Sequence, residues 1–336
     1  MTRSVSPEIL AILDREYKVL DHGYVKVIEV MGTDEGIVEA ARMSTDRGFI
    51  SWEPYRRCKN EDCALVETLD SNFILMPPAY LSKPVATSLG CHHTEWEKFP
   101  NGDLGLLDTL WRKKHATPFE MGEILIEVAA PLFVFREWHR HRTQSYNEFS
   151  ARYSVMPNLH YVPSEDRLKQ LISGNKQASS HVSETDADLE MMRARIEAEQ
   201  NSVYDNYDEM INAGVPKEVA RVNTPVSRYS KMRAKTDLRN WLAFLNLRIR
   251  PDAQWEIRQY ANVVAEIVKA AFPRSFSFFE EYDLYGAHLS RTELRIVRDL
   301  ISGVSMIEAL KQGGLTGRKK DEFLAKIQKG GEEILA

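Results

Sequence analysis

The chain has 336 residues, 43% hydrophobic and 28% charged, with 44 Lys and Arg against 49 Asp and Glu. This is an ordinary globular composition, enough for one large domain or two modest ones, each with a substantial core. The net charge of −5 excludes a globally basic nucleic-acid footprint, so any anion must be gripped by a local cluster of cations.

No apolar run approaches the roughly 20 residues that span a bilayer. The N-terminal stretch MTRSVSPEILAILDREYKVL carries charges among its apolar positions, unlike a secretory signal. Three cysteines make no disulfide framework, and the expected location is reducing and cytoplasmic. In chain order, YVKVIEVMG (24–32) alternates as a strand does, and DEGIVEAARMS reads as a helix capped by Asp34. Residues 46–114 are less regular, with a turn signal at Asn101-Gly102, and read as an insertion of about 46–105 ahead of a helical LLDTLWRKK.

GEILIEVAA (122–130) reads as a strand, and Pro131 then starts a helix, LFVFREWHRHR, that places Arg136 and Arg140 on one face and stops near Thr143. SYNEFS favours loop and turn geometry. Residues 164–190 form a polar excursion, 188–213 an acidic helix, and VPKEVAR a helix start at Pro216. SRYSKMRAKTD (227–237) is strand-like. Asp237 can cap LRNWLAFLNLR, and Asp252 the long amphipathic AQWEIRQYANVVAEIVKAAF. The last fifty residues read as a helical appendix. The fold class is therefore α+β, with a mixed sheet built around 24–30, 122–129 and 227–236 and packed against long helices.

The chemistry concentrates in RHRTQSYNEFSARY (140–153). Arginine offers five donors in a rigid fork that matches phosphate and carboxylate oxygens, and neighbouring hydroxyl and amide groups complete an anion cradle. A solvated basic helix end, complementing the helix dipole, would also account for a bare charge cluster. The pattern RHRxxSxNxxSxRY is more specific. It resembles the signature of the flavin-dependent thymidylate synthases. HATPFE upstream, and PKEVAR and FLNLR…AQWEIRQYA downstream, resemble further segments of that family in the same order.

The resemblance implies a fold of the thymidylate synthase-complementing protein type. It also implies reductive methylation of dUMP to dTMP, with FAD as cofactor and methylenetetrahydrofolate and NADPH as co-substrates, in a homotetramer with sites at subunit interfaces. Residues 1–284 would be the catalytic domain, and 285–336 a helical extension. The dUMP cradle would comprise Glu137, Arg140, Glu148, Ser150, Ala151, Arg152, Arg221 and Arg248. Arg248 would be catalytic, set against the uracil N3/O4 side. FAD would be contacted by His115, Thr117, Arg140, His141, Arg142, Glu148, Asp237, Arg239 and Ala243. Ser145 and Asn147 would shape the loop or bond the flavin side.

No Gly-rich dinucleotide fingerprint follows any predicted strand, so FAD must be held another way. The family often has Gln at Glu137, Asn at Asp237 and Ala243, and His at Asp252; the Ala243 change removes an amide donor. A cysteine nucleophile is not expected, because Cys58, Cys63 and Cys91 all lie in the insertion, outside the matched motifs. Those thiols with His92 or His93 offer a zinc set, against ordinary loop thiols, and no metal is assigned. His139 and His141 point to different faces of the predicted helix, which disfavours a shared metal there. A nucleic-acid module built on the basic cluster is the rival reading. It would need a broad basic face and a steep salt dependence.

Overall fold

The computed structural model describes residues 7–58, 65–68, 73–75, 96–169 and 186–328. In chain order the elements begin with α1 (Pro7–Ile12), β1 (Glu16–Val19), β2 (Gly23–Met31) and α2 (Asp34–Arg42). There follow β3 (Tyr55–Cys58), β4 (Leu65–Thr68), β5 (Phe73–Leu75), β6 (Trp96–Phe99) and α3 (Leu104–Arg112). The central stretch holds β7 (Glu123–Pro131), α4 (Leu132–Trp138), β8 (Ser145–Glu148), α5 (Glu165–Lys169), α6 (Asp186–Asn212) and α7 (Lys217–Ala220). The chain then runs through β9 (Tyr229–Asp237), α8 (Leu238–Arg248), α9 (Trp255–Ala271), α10 (Pro273–Phe279), α11 (Arg291–Ile301), α12 (Met306–Gly313) and α13 (Gly317–Gln328). Among the described residues no helix is long and apolar enough to cross a membrane.

The chain divides into two compact units. Met1–Ala41 and Ala116–Ala271 form the first, and Arg42–His115 and Phe272–Ala336 the second. The first is built on an antiparallel sheet of order β1-β2-β7-β9-β8. Its three central strands are the three that alternation predicts. One face carries Val25, Val27, Ile126, Val128 and Ala234, all fully buried. The other carries Lys231, Arg233 and Lys235 in solvent, with Arg233 paired to Glu127 at 3.3 Å and Lys235 to Glu123 at 2.8 Å. Period-two alternation therefore separates core from water along each strand.

Helix α9 packs on β2 and against α4 and α8. Trp138, Trp241, Phe244 and Tyr260 pack ring against ring, with Trp138 4.7 Å from Phe244 and 6.3 Å from Tyr260. Their polar atoms are satisfied: Trp241 Nε1 donates to Ile124 O at 3.1 Å and the Tyr260 hydroxyl to Ala129 O at 2.9 Å. Gly23 makes room for that hydroxyl. A Cβ there would lie 2.0 Å from Tyr260 Oη and 2.7 and 2.8 Å from the carbonyl oxygens of Val19 and Ala129. Gly23→Ala should cost about 3 kcal/mol. Tyr260→Phe should restore only part of it, because the two carbonyls remain. Denaturant unfolding of the two single variants and the double variant checks this.

Four local expectations are corrected. Thr33, not Asp34, caps α2: its Oγ1 accepts from Gly36 N at 3.2 Å. Helix α4 ends at Trp138, so Arg140 does not continue the face of Arg136. SYNE, expected as loop, is the edge strand β8 paired with β9. Helix α9 begins at Trp255, three residues beyond the expected cap Asp252.

The second unit has a separate antiparallel sheet, β5-β4-β3-β6, within a stretch that reads as irregular in sequence. Asp103 is fully buried and anchors this unit. It accepts from Arg42 Nη2 at 2.6 Å and Nη1 at 3.0 Å, the Tyr55 hydroxyl at 2.8 Å and Ile50 N at 2.7 Å. The expected turn at Asn101-Gly102 is present, with Gly102 at φ 54°. Helices α11–α13 share a small core of Ile296, Ala309, Leu310 and Phe323. Cys63, Cys91, His92 and His93 lie outside the described residues, as does the middle of the 164–190 excursion.

Candidate functional site

Pro131 ends β7 and begins α4, and the helix closes at Trp138 with His139 as its C-cap. The chain then turns tightly: His141 N donates to Trp138 O at 3.0 Å and Gln144 N to His141 O at 3.2 Å. Side chains clamp this turn from within. Trp138 Nε1 donates to Gln144 Oε1 at 3.0 Å, and the Tyr146 hydroxyl to His141 O at 2.8 Å. The turn is held on the aromatic core and carries Arg140 and Arg142 outward, exposed and with no side-chain partner among the described residues.

Arg248, the last residue of α8, reaches into the same turn. Its Nε donates to His141 Nε2 at 2.9 Å, Nη1 to Glu137 Oε2 at 3.0 Å and Nη2 to Glu137 O at 3.0 Å. Because Nε2 of His141 accepts, the ring is neutral and any ring proton sits on Nδ1. Burial first, and the Arg248 charge second, push the His141 pKa down to about 4. His160 is likewise lowered, by burial and by Arg228. Both imidazoles therefore bind protons more readily when the chain is unfolded. Stability from this source is complete above about pH 6.5 and is lost as the pH falls toward 4. Unfolding free energy should decline across that window, and His141→Asn should flatten the decline.

A second cluster lies behind β8. Glu148 accepts from Ser230 Oγ at 2.7 Å. Ser150 Oγ accepts from Arg152 N at 3.3 Å, and Ala151 is buried against Met156, Tyr207 and Ala220. Arg152 Nε meets Glu218 Oε2 at 2.9 Å, and Lys217 Nζ donates to Tyr153 O at 3.0 Å. Arg152, Tyr153, Lys217 and Glu218 line an open cleft of about 490 Å³ together with Ile211 and Val215. Arg221 follows α7 and is half-buried. Hydrogen bonds thus gather Glu137, His141 and Arg248 into one knot and Arg152, Tyr153, Lys217 and Glu218 into another.

The remaining expected residues are spread. Asp237 is an acidic cap whose two carboxylate oxygens accept from Asn240 N at 2.9 Å and Asn240 Nδ2 at 2.7 Å. Asp and Asn can both accept the backbone bond of a cap; the second bond, to Asn240 Nδ2, uses the further acceptor that a carboxylate has and an amide lacks. Arg239 pairs with Glu120, Thr117 opens a short 3₁₀ turn, and Ala243 is exposed on α8. His115 is exposed and belongs to the second unit. Sequence reasoning missed Gln144, Tyr146, His160, Arg228 and Ser230. Each looks like an ordinary strand or loop residue until the turn and β9 are paired.

The profile of the thymidylate synthase complementing protein family matches residues 26–274. A flavin-dependent thymidylate synthase of Wolbachia pipientis is 34% identical over 327 residues, 97% of each chain. The chain belongs to the flavin-dependent thymidylate synthase family. A member from Thermus thermophilus is 36% identical over 316 residues, 94% of this chain and 97% of that one. Alignments of this length run through the 46–105 stretch and the C-terminal helices, so both are shared with family members and are not additions peculiar to this chain. The crystal structure of a UMP/dUMP methylase, PolB from Streptomyces cacaoi, shares the fold at a TM-score of 0.57 and 24% identity, covering 80% of this chain and 98% of that one. Every candidate residue named above falls inside the family match.

Proposed function

We propose that the protein is a cytoplasmic enzyme that methylates dUMP to dTMP, with FAD as cofactor, methylenetetrahydrofolate as one-carbon donor and NADPH as reductant. Family membership supports the reaction. The observation that carries the assignment of residues is the rigid turn at 138–144, which presents Arg140 and Arg142 unpaired beside the Arg248–His141–Glu137 knot. Two free guanidinium forks suit the diphosphate of a flavin dinucleotide, and the buried, unpartnered Gln144 Nε2 is a further open donor in the same turn. These residues fit FAD. When bound, flavin supplies the hydride chemistry, so no cysteine nucleophile is needed.

The protein's own part is binding and charge stabilisation. Arg152, Ser150 and Arg221 take the nucleotide phosphate; to do so Arg152 exchanges the Glu218 carboxylate for phosphate oxygens. Glu148 is fixed by Ser230 to orient the nucleotide. Arg248, held on three sides, presents a fixed cation to a uracil that becomes anionic during reaction. Two knots in one chain also suit sites shared between subunits of a tetramer, which sedimentation velocity checks as a single species of four chains.

The function is tested by incubating the protein with dUMP, methylenetetrahydrofolate and NADPH and separating the folates. Tetrahydrofolate should accumulate in step with dTMP, and NADPH should be consumed equally. Changing Cys58, Cys63 and Cys91 to Ser should leave activity in place in a folded protein. Dihydrofolate equal to dTMP, formed without NADPH or flavin, would overturn the reading.

A further inference from the structure

Arg228 and His160 are paired across an isolated antiparallel bridge at the start of β9. Both are buried, at 5% and 7% exposure. Among the described residues, Nε and Nη1 of Arg228 and both ring nitrogens of His160 have no hydrogen-bond partner. Such groups are normally satisfied, and a buried guanidinium without a bonded counter-ion is costly to keep. Burial first pushes the Arg228 pKa down; of the groups that act on it, Glu148 and the Tyr207 phenol oppose the shift and Arg221 adds to it. Glu148 is the one carboxylate among them, and it is bonded to Ser230. Two arginines against one carboxylate, beside a neutral imidazole, leave a surplus of positive charge and open donors that the fold itself does not satisfy.

We propose that Arg228, with His160 behind it, is an additional oxyanion ligand that takes phosphate oxygens at the Glu148–Arg221 side of the nucleotide site. The inference rests on reading Glu148 and Arg221 as nucleotide-binding residues. An anion there satisfies the open Arg228 nitrogens and balances the surplus charge. His160, being neutral, adds one donor and one acceptor and no further charge. The same chemistry serves the phosphate of the bound nucleotide or free inorganic phosphate.

The test uses full-length wild type, Arg228→Leu, Arg228→Lys and, in case the apolar variant does not fold, Arg228→Gln. Calorimetric titration with dUMP and with deoxyuridine is combined with thermal unfolding in inorganic phosphate. Arg228→Leu should bind dUMP about tenfold or more weakly, bind deoxyuridine as wild type does, and lose the rise in Tm that phosphate confers on wild type. Arg228→Lys should keep part of both responses. Phosphate that competes with dUMP identifies the nucleotide's phosphate as the occupant. Arg228-dependent stabilisation by phosphate without competition identifies the free anion. Wild type that fails to bind dUMP sinks the nucleotide reading and leaves the phosphate arm to decide the anion site. Equal phosphate responses in wild type and Arg228→Leu, with dUMP affinities within about twofold, overturn the proposal.

Discussion

Replacing Arg248 with alanine should lower kcat by about 100-fold or more, equivalent to about 2.7–4 kcal/mol of lost transition-state stabilisation. The expectation comes from how the guanidinium is held. Three of its nitrogens are committed, to Glu137 Oε2, Glu137 O and His141 Nε2, so its position is set before substrate arrives. A prepositioned cation is worth most where charge develops, because nothing need reorganise during the reaction. Truncation also leaves the Glu137 and His141 acceptors open, which should destabilise the fold by about 1–3 kcal/mol. Arg248→Lys keeps the charge but cannot reach all three acceptors, and should recover little of the rate. The His141 pKa should move up from about 4 in the alanine variant, because one of the two causes that lower it is gone; NMR titration reads this apart from turnover. A folded Arg248→Ala protein with kcat within about threefold of wild type would remove Arg248 from the chemistry.

The largest stability effect is expected at Asp103, outside every matched motif. Asp103→Ala should cost about 3–5 kcal/mol, because it strands a buried arginine. Arg42 is 9% exposed and places both terminal nitrogens on this carboxylate; its remaining partners are Gly48 O at 2.8 Å and the Tyr55 hydroxyl at 2.9 Å. Tyr55, whose own pKa is pushed up to about 12 chiefly by burial, cannot take over as a counter-ion near neutral pH. Asp103→Asn keeps the shape but not the charge, and should fall between the two. If the wild-type and Asp103→Ala proteins unfold at the same denaturant concentration, the network contributes nothing.

The legible parts of the sequence were those with strong local causes. Alternating Val and Ile in 23–31 and 123–131 marked strands because a half-buried sheet separates its faces with period two. Asp237 was recognisable as a cap because its carboxylate bonds a backbone amide three residues on. The polar SYNE was misread because an edge strand with little buried surface lacks an apolar alternation. Its identity as β8 depends on hydrogen bonds to Met232–Lys235, more than eighty residues away. The early end of α4 has a similar origin: the Trp138–Gln144 bond competes with continuation of the helix.

The sequence by itself determined the family, through motif residues whose types and spacing are set by substrate chemistry. It also determined the central strands and the long helices, whose patterns are repeated responses to burial. Which charged groups meet was decided only by the tertiary structure. That Arg248 ties to Glu137 and His141, that Arg152 rests on Glu218, that Arg42 and Asp103 find each other in the core of the second unit, and that Arg228 is buried with Nε and Nη1 unpartnered among the described residues follow from how segments far apart in the chain pack together. Burial shows in local periodicity because each residue meets the core or water independently. An ion pair requires two chosen residues to arrive at one place, and only the folded chain specifies that.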